Sequence, residues 1–230
     1  MERIILIETS TSLCSTAIVE DGEIVCSRLS EEPRAHASMT AVFVDGMLKE
    51  RGLGMEDFNA VAVSKGPGSY TGLRVGVSTA KGLCFGAGIK LISVGTLDTL
   101  VWQAIDEGLV PAGCRHIIPM IDARRMEVYT GIFTPEGVQT SPTVSKVIDE
   151  NTFAEELKDG PVLFIGDGAG KCEQVIRNGN ATFVQCCPKA SGMRRPATAA
   201  LREGRFEDVA YFEPYYLKEF VTTVSKKKLF

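Results

Sequence analysis

Apolar positions fall along this chain in short runs cut by turns. Residues 4–7 and 14–19 read as buried strands, separated by the polar stretch Glu8-Thr9-Ser10-Thr11-Ser12, and Asp21-Gly22 turns the chain into a third run at 23–29. Three such runs with tight turns predict a β-meander. A helix is predicted over 36–50, a short buried strand over 60–64, a helix from about 71 to 86 behind a glycine-rich turn, a strand at 91–94 and a helix around 96–107. The same grammar then returns. Residues 117–121 lead into Asp122, the turn Ala123-Arg124-Arg125-Met126, a run at 128–133 and the turn Pro135-Glu136-Gly137. A helical stretch near 152–158, a strand at 161–165, the loop Gly166-Asp167-Gly168-Ala169-Gly170 and a helix near 171–178 follow.

Because a carboxylate ends the first strand of both copies, the pattern reads as an internal duplication, with low side-chain identity between the halves. Meander, helix, strand, helix, strand in each half predicts an α/β protein whose mixed sheets are covered by helices. The lobes are expected at 1–107 and 108–230, divided where Gly108, Pro111 and Gly113 cluster, with the last segment able to pack back on the first lobe. Hydrophobic residues make up 44% of the 230 residues and charged residues 23%, a globular composition. The formal net charge of -4 leaves no overall basic footprint, so nucleic acid would be gripped only with a partner's help. No apolar run reaches membrane-spanning length, and the opening run is too short for a signal-peptide core. Seven cysteines without a Cys-x-x-Cys pair read as reduced thiols of a cytoplasmic protein.

Candidate chemistry is sparse. Glu8 and Asp122, at equivalent strand ends, could hold a hydrated Mg2+ near phosphates, or could cap turn amides as acids in such places commonly do. The turn carrying Gly66, Gly68, Ser69 and Gly72 lacks P-loop and dinucleotide spacing; it offers helix N-terminal amides to an anion, or simply allows a tight strand-to-helix turn. Gly166-Asp167-Gly168 could take an adenosine ring against its backbone, or be a turn. Two isolated histidines, His36 and His116, give no metal signature, no catalytic triad can be assembled, and Lys226-Lys227-Lys228 reads as a solvated tail. Gly72, Gly76 and Ala80 make one side of their helix flat. The preceding helix carries Met39, Phe43 and Met47 among more apolar residues than one core stripe needs, so the two helices together form the expected partner interface, or a helical layer internal to the fold.

The segments Ile4 to Ser12, Ser64-Lys65-Gly66-Pro67-Gly68-Ser69-Tyr70-Thr71-Gly72-Leu73-Arg74-Val75-Gly76, Ala80-Lys81-Gly82-Leu83, Asp122-Ala123-Arg124-Arg125-Met126-Glu127-Val128-Tyr129, Ile165-Gly166-Asp167-Gly168-Ala169 and Glu213-Pro214-Tyr215-Tyr216-Leu217-Lys218 together resemble the TsaB (YeaZ) family. The resemblance implies a duplicated, actin-like fold of the sugar kinase, Hsp70 and ribonuclease H-like kind. It also implies a place in bacterial synthesis of threonylcarbamoyladenosine on tRNA, as the non-catalytic scaffold or activator of a TsaD-like paralogue, with a TsaE-like ATPase in the same system. A homodimer is expected when the chain is alone, tRNA contact only through the complex, and ATP, ADP or metal only at the partner or the shared interface. TsaD-like proteins carry a His-Leu-Glu-Gly-His metal pair where this chain has Thr96-Leu97-Asp98-Thr99-Leu100, and the family's usual Asp-Thr-Ser start has Glu8 in place of aspartate. The competing readings are an ATP-dependent kinase of the same fold using Glu8 and Asp122, and a free-standing homodimer that binds a small anion.

Overall fold

The computed structural model describes residues 1–32 and 34–218, and in that span the repeated pattern becomes two five-stranded mixed sheets. In the first, β1 (Arg3–Glu8), β2 (Cys14–Glu20) and β3 (Glu23–Ser30) form the antiparallel meander, while β4 (Ala60–Gly66) and β5 (Lys90–Gly95) add in parallel beside β1. The resulting order is β3-β2-β1-β4-β5. In the second, β6 (His116–Asp122), β7 (Glu127–Thr130) and β8 (Val144–Val147) repeat the meander, and β9 (Val162–Gly166) and β10 (Ala181–Gln185) repeat the parallel pair, giving β8-β7-β6-β9-β10. Every strand therefore has a counterpart of the same place and direction in the other sheet, which is the signature of duplication.

The helices repeat with unequal length. α1 (His36–Arg51) and α2 (Tyr70–Ala87) are long, whereas α4 (Ala154–Asp159) and α5 (Ala169–Glu173), at the corresponding places, are one or two turns. α3 (Thr96–Asp106) follows the first sheet and α6 (Arg194–Glu203) the second. β1 is apolar at consecutive positions because both faces of its sheet are covered. Ile5 and Ile7 join Val61 and Val63 under α1 and α2; Ile4 and Leu6, pointing the other way, join Ala60, Ala62 and Ile92 under Met193, Ala197 and Ala200. α6 thus crosses back to cover the first sheet. α3 does the reverse, setting Leu97, Leu100, Val101 and Ala104 against Ile117, Ile121, Leu163 and Ile165 of the second sheet.

Three elements were absent from the sequence expectations: β8, β10 and α6. β7 is shorter than the expected run at 128–133, and α5 starts inside the expected glycine loop, at Ala169, and ends at Glu173 rather than near 178. Lys226-Lys227-Lys228 lies outside the described residues. Among the described residues, no helix is long and apolar enough to cross a membrane.

Candidate functional site

Glu8 ends β1 with its side chain fully enclosed. The chain turns at once, and Glu8 Oε1 accepts the Ser10 N–H at 2.7 Å, while Oε2 has no hydrogen-bond partner among the described residues. Burial, only partly offset by these local hydrogen bonds, pushes the carboxyl up to about 7. Of the two readings of this acid, the structure bears out the cap on turn amides and corrects the one in which it holds a hydrated Mg2+. The physical reason is that residues 9–10 fold down onto the start of α2, so the protein itself covers the strand end.

The glycine-rich turn makes that approach possible. A Cβ at Gly68 would overlap the Ser10 carbonyl oxygen, one at Gly72 the Thr9 carbonyl oxygen, and one at Gly76 the Thr9 hydroxyl. Thr9 Oγ1 donates to Gly72 O at 2.8 Å, and the Ser69 N–H donates to Ser10 O at 2.6 Å. Ser69 caps α2, its Oγ accepting from Gly72 N at 3.3 Å. Of the two readings of this turn, the close-packing one accounts for Gly68, Gly72 and Ser69; Gly66, at φ 110°, lies against the Tyr215 carbonyl.

Asp122 is the counterpart of Glu8 and does the same local work, its Oδ1 accepting the Arg124 N–H at 2.7 Å. Unlike Glu8 it is exposed, and the ammonium of Lys171 holds it at 2.5 Å while also donating to the carbonyls of Arg125 at 2.8 Å and Glu127 at 2.7 Å. The position a metal ion would take beside Asp122 is therefore filled by an internal cation. Asp167 Oδ1 accepts the Asp122 N–H at 2.8 Å, and burial, with the nearby Asp122 charge adding, pushes Asp167 up to about 6. Gly166 and Gly168 are pressed on the end of β6, where a Cβ on Gly166 would overlap the Met120 carbonyl and the Gly168 N–H donates to that same oxygen at 3.0 Å. The structure thus brings Asp122, Gly166, Asp167 and Gly168 together at one strand end, and Glu8, Gly68, Ser69 and Gly72 at the equivalent end of the other sheet. Neither donor set fits a divalent cation: one is sealed and the other already carries Lys171. Among the described residues, no group of three His, Cys, Asp or Glu side chains could hold a metal.

The expected partner surface needs a larger correction. Met47 is fully buried in the first core, and Gly72, Gly76 and Ala80 face the chain's own Thr9 and β4 rather than solvent. Met39 and Phe43 are half-buried. The outward side of the same helical layer carries other residues: Val42 is 56% exposed and Phe85 85%, and a Cβ on Gly46, Gly82 or Gly86 would meet nothing. Phe85 also borders an open pocket of about 690 Å3 with Lys81, Asp208 and Val209. Phe85 and Lys171 are the residues that sequence reasoning missed. The first had a signal, since Phe85 stands on the α2 stripe of Thr71, Arg74, Ser78 and Gly82, where a polar side chain is expected.

Comparison with known proteins agrees with this architecture. Residues 28–221 match the model of the family described as TsaD, tRNA N6-adenosine threonylcarbamoyltransferase. The tRNA threonylcarbamoyladenosine biosynthesis protein TsaB of Escherichia coli is 31% identical, over 99% of this chain and 98% of that protein. The solved structure of YeaZ from Pseudomonas aeruginosa superimposes with a TM-score of 0.80 at 26% identity, over 94% of this chain and all of that one. A polyphosphate/ATP-glucomannokinase from Arthrobacter shares the fold alone, with a TM-score of 0.51 at 9% identity over 89% of this chain and all of that one.

Proposed function

This chain belongs to the TsaB (YeaZ) family, and we propose that it acts in threonylcarbamoyladenosine synthesis on tRNA as a non-catalytic subunit that docks a TsaD-like paralogue of its own fold. The observation that carries this reading is that the chain spends both strand-end carboxylates on itself. Glu8 is enclosed over the Ser10 amide and Asp122 is neutralised by Lys171, so neither is presented to a nucleotide phosphate. The positions matching the transferase's histidine pair support the same view: Thr96 and Leu100 are fully buried, and Leu100 packs where Gly166 approaches α3. Nucleotide and metal then belong to the partner or to the shared interface.

Docking would use the outward face of α1 and α2. A phenylalanine as exposed as Phe85, beside glycines that let another backbone come close, is the kind of feature an interface covers. A paralogue presents equivalent helices, so the same face serves a homodimer when the chain is alone and a pseudo-twofold heterodimer with the partner. With a net charge of -4, the chain leaves most of the attraction for tRNA to the rest of the assembly, in which a TsaE-like ATPase is a further component. The test is complementation of cytoplasmic extracts and cells depleted of the protein. Wild-type chain should restore the modified nucleoside; Phe85→Asp should restore it poorly while keeping its melting temperature. Modification of tRNA by the purified chain and a threonylcarbamoyl donor, without any partner, would overturn the non-catalytic reading.

A further inference from the structure

A cleft of about 700 Å3 lies between the two lobes, bordered by Gly66 and Pro67 of the glycine-rich turn, and neither Glu8 nor Asp122 lines it. One wall is Lys65 near the end of β4 and Asp98 in the first turn of α3; the other is the connection after β7, with Gln139, Ser141 and Thr143; Tyr215 crosses between them. The walls are built in advance. Gln139 Nε2 donates to Ser141 O at 2.8 Å and Thr143 Oγ1 at 3.1 Å, and Ser141 Oγ accepts from Ile132 N at 2.8 Å. The Tyr215 N–H donates to Lys65 O at 2.7 Å, Tyr216 packs on Tyr70 with the rings tilted at 34° and their centroids 4.8 Å apart, and Lys218 reaches the other lobe to pair with Glu127. Residues 215–218 thus strap the cleft across both lobes.

The two charges in this cleft are close enough to feel each other but form no ion pair. Lys65 and Asp98 are both half-buried, burial raises the Asp98 carboxyl above its ordinary value against the smaller opposing pull of Lys65, and no nitrogen–oxygen approach within 4.0 Å joins them. Among the described residues the Lys65 ammonium has no hydrogen-bond acceptor, and Asp98 is met only by its own backbone amide. A half-buried ammonium and carboxylate facing one cavity without direct partners each leave hydrogen-bonding capacity unused.

We propose that this inter-lobe cleft binds a small zwitterion of the α-amino-acid class, its carboxylate on Lys65, its ammonium on Asp98 and its side chain toward Gln139, Ser141 and Thr143. Charge logic selects the class. An anion alone would meet Lys65 but be repelled by Asp98, a cation alone would meet the reverse, and a neutral polyol would leave both charges unanswered. An amino acid carries both charged groups on one carbon and can answer both walls at once. The volume leaves room for a side chain or an amide-linked extension. This proposal does not rest on the assignment to tRNA modification and survives or fails separately from it.

The test is a 1H–15N titration of the full chain with glycine, L-serine and L-glutamine, alongside propionate and propylamine, which carry one charge each, to about 20 mM, a range that detects millimolar binding. Saturable shifts are expected at the amides of Gly66, Gly95, Gln139, Thr140, Ser141 and Thr143 with the zwitterions and not with the single-charge probes. Lys65→Ala and Asp98→Asn should each weaken binding by about tenfold or more. No saturable shifts, shifts elsewhere on the protein, or propionate binding as well as glycine would overturn the proposal. The comparison among probes on the wild-type chain decides it even where a variant fails to fold.

Discussion

The ionisation of Glu8 bears directly on the stability of the fold. Its carboxyl is raised from 4.5 to about 7 by burial, so the folded chain keeps a proton that the unfolded chain releases. The sign follows from linkage: this contribution to stability is complete below pH 4.5 and is lost as pH rises through about 7. Asp167, raised from 3.8 to about 6, acts in the same direction over a lower window. Denaturant titrations should therefore show stability falling across these windows, with Glu8→Gln flattening the upper part of the fall, worth about 3 kcal/mol at most. A variant with the wild-type slope would mean that Glu8 is solvated in the folded protein. Lys171→Met should cost roughly 1–3 kcal/mol in the same titrations, because it strands the carbonyls of Arg125 and Glu127. That an acid ends the first strand of each half was legible in the sequence. What each acid faces was not, since it depends on the Ser10 amide in one lobe and on Lys171, far along the chain, in the other.

At the scale of elements, α2 uses glycine for two opposite purposes. Gly76 is inward, and a methyl there would collide with the Thr9 hydroxyl; Gly82 is outward, and a methyl there would touch nothing. Gly76→Ala should destabilise by about 1–3 kcal/mol through overpacking, whereas Gly82→Ala should stabilise by about 0.5–1 kcal/mol by reducing backbone freedom. Thermal denaturation of the pair checks both signs. α1 makes the parallel point: Met47→Asp buries an unpaired charge and should unfold the protein or nearly so, while Val42→Asp, on the exposed side, should fold normally. Both helices were legible from their periodicity, but their faces were not, because apolar residues surround α1 and small ones surround α2. β8 was hidden for another reason, being the four-residue edge strand Val144–Val147 with mostly exposed side chains and no alternation to read. α6 carries Pro196 in its first turn, a place a helix tolerates, yet the residue reads as a breaker when no register is known.

At the scale of the whole molecule, the duplication is coupled by exchange, since each lobe's last helix covers the other lobe's sheet. α3 closes the second core with Leu97, Leu100 and Val101, and Met193 with Ala197 and Ala200 closes the first. The exchange is pinned by ions as well: Asp106, at the end of α3, binds Arg194 at 2.9 Å and Arg195 at 2.7 Å, at the start of α6. Gly192 sits so close to the Thr99 carbonyl that no larger residue fits between the crossing segments. A lobe cut at the boundary that the sequence suggests, near residue 107, would expose the face formed by Ile4, Leu6, Ala62 and Ile92, so neither half should be stable alone. The intact chain should unfold in one calorimetric transition, with calorimetric and van't Hoff enthalpies equal. Met193→Ala, which empties a fully buried position on the first sheet, should cost about 2–5 kcal/mol and lower hydrogen-exchange protection in β6 and β9 as much as in β1 and β4. Protection lost from the first sheet alone would show two independent folding units; equal loss in both requires that the crossed helices make one cooperative body out of two copies.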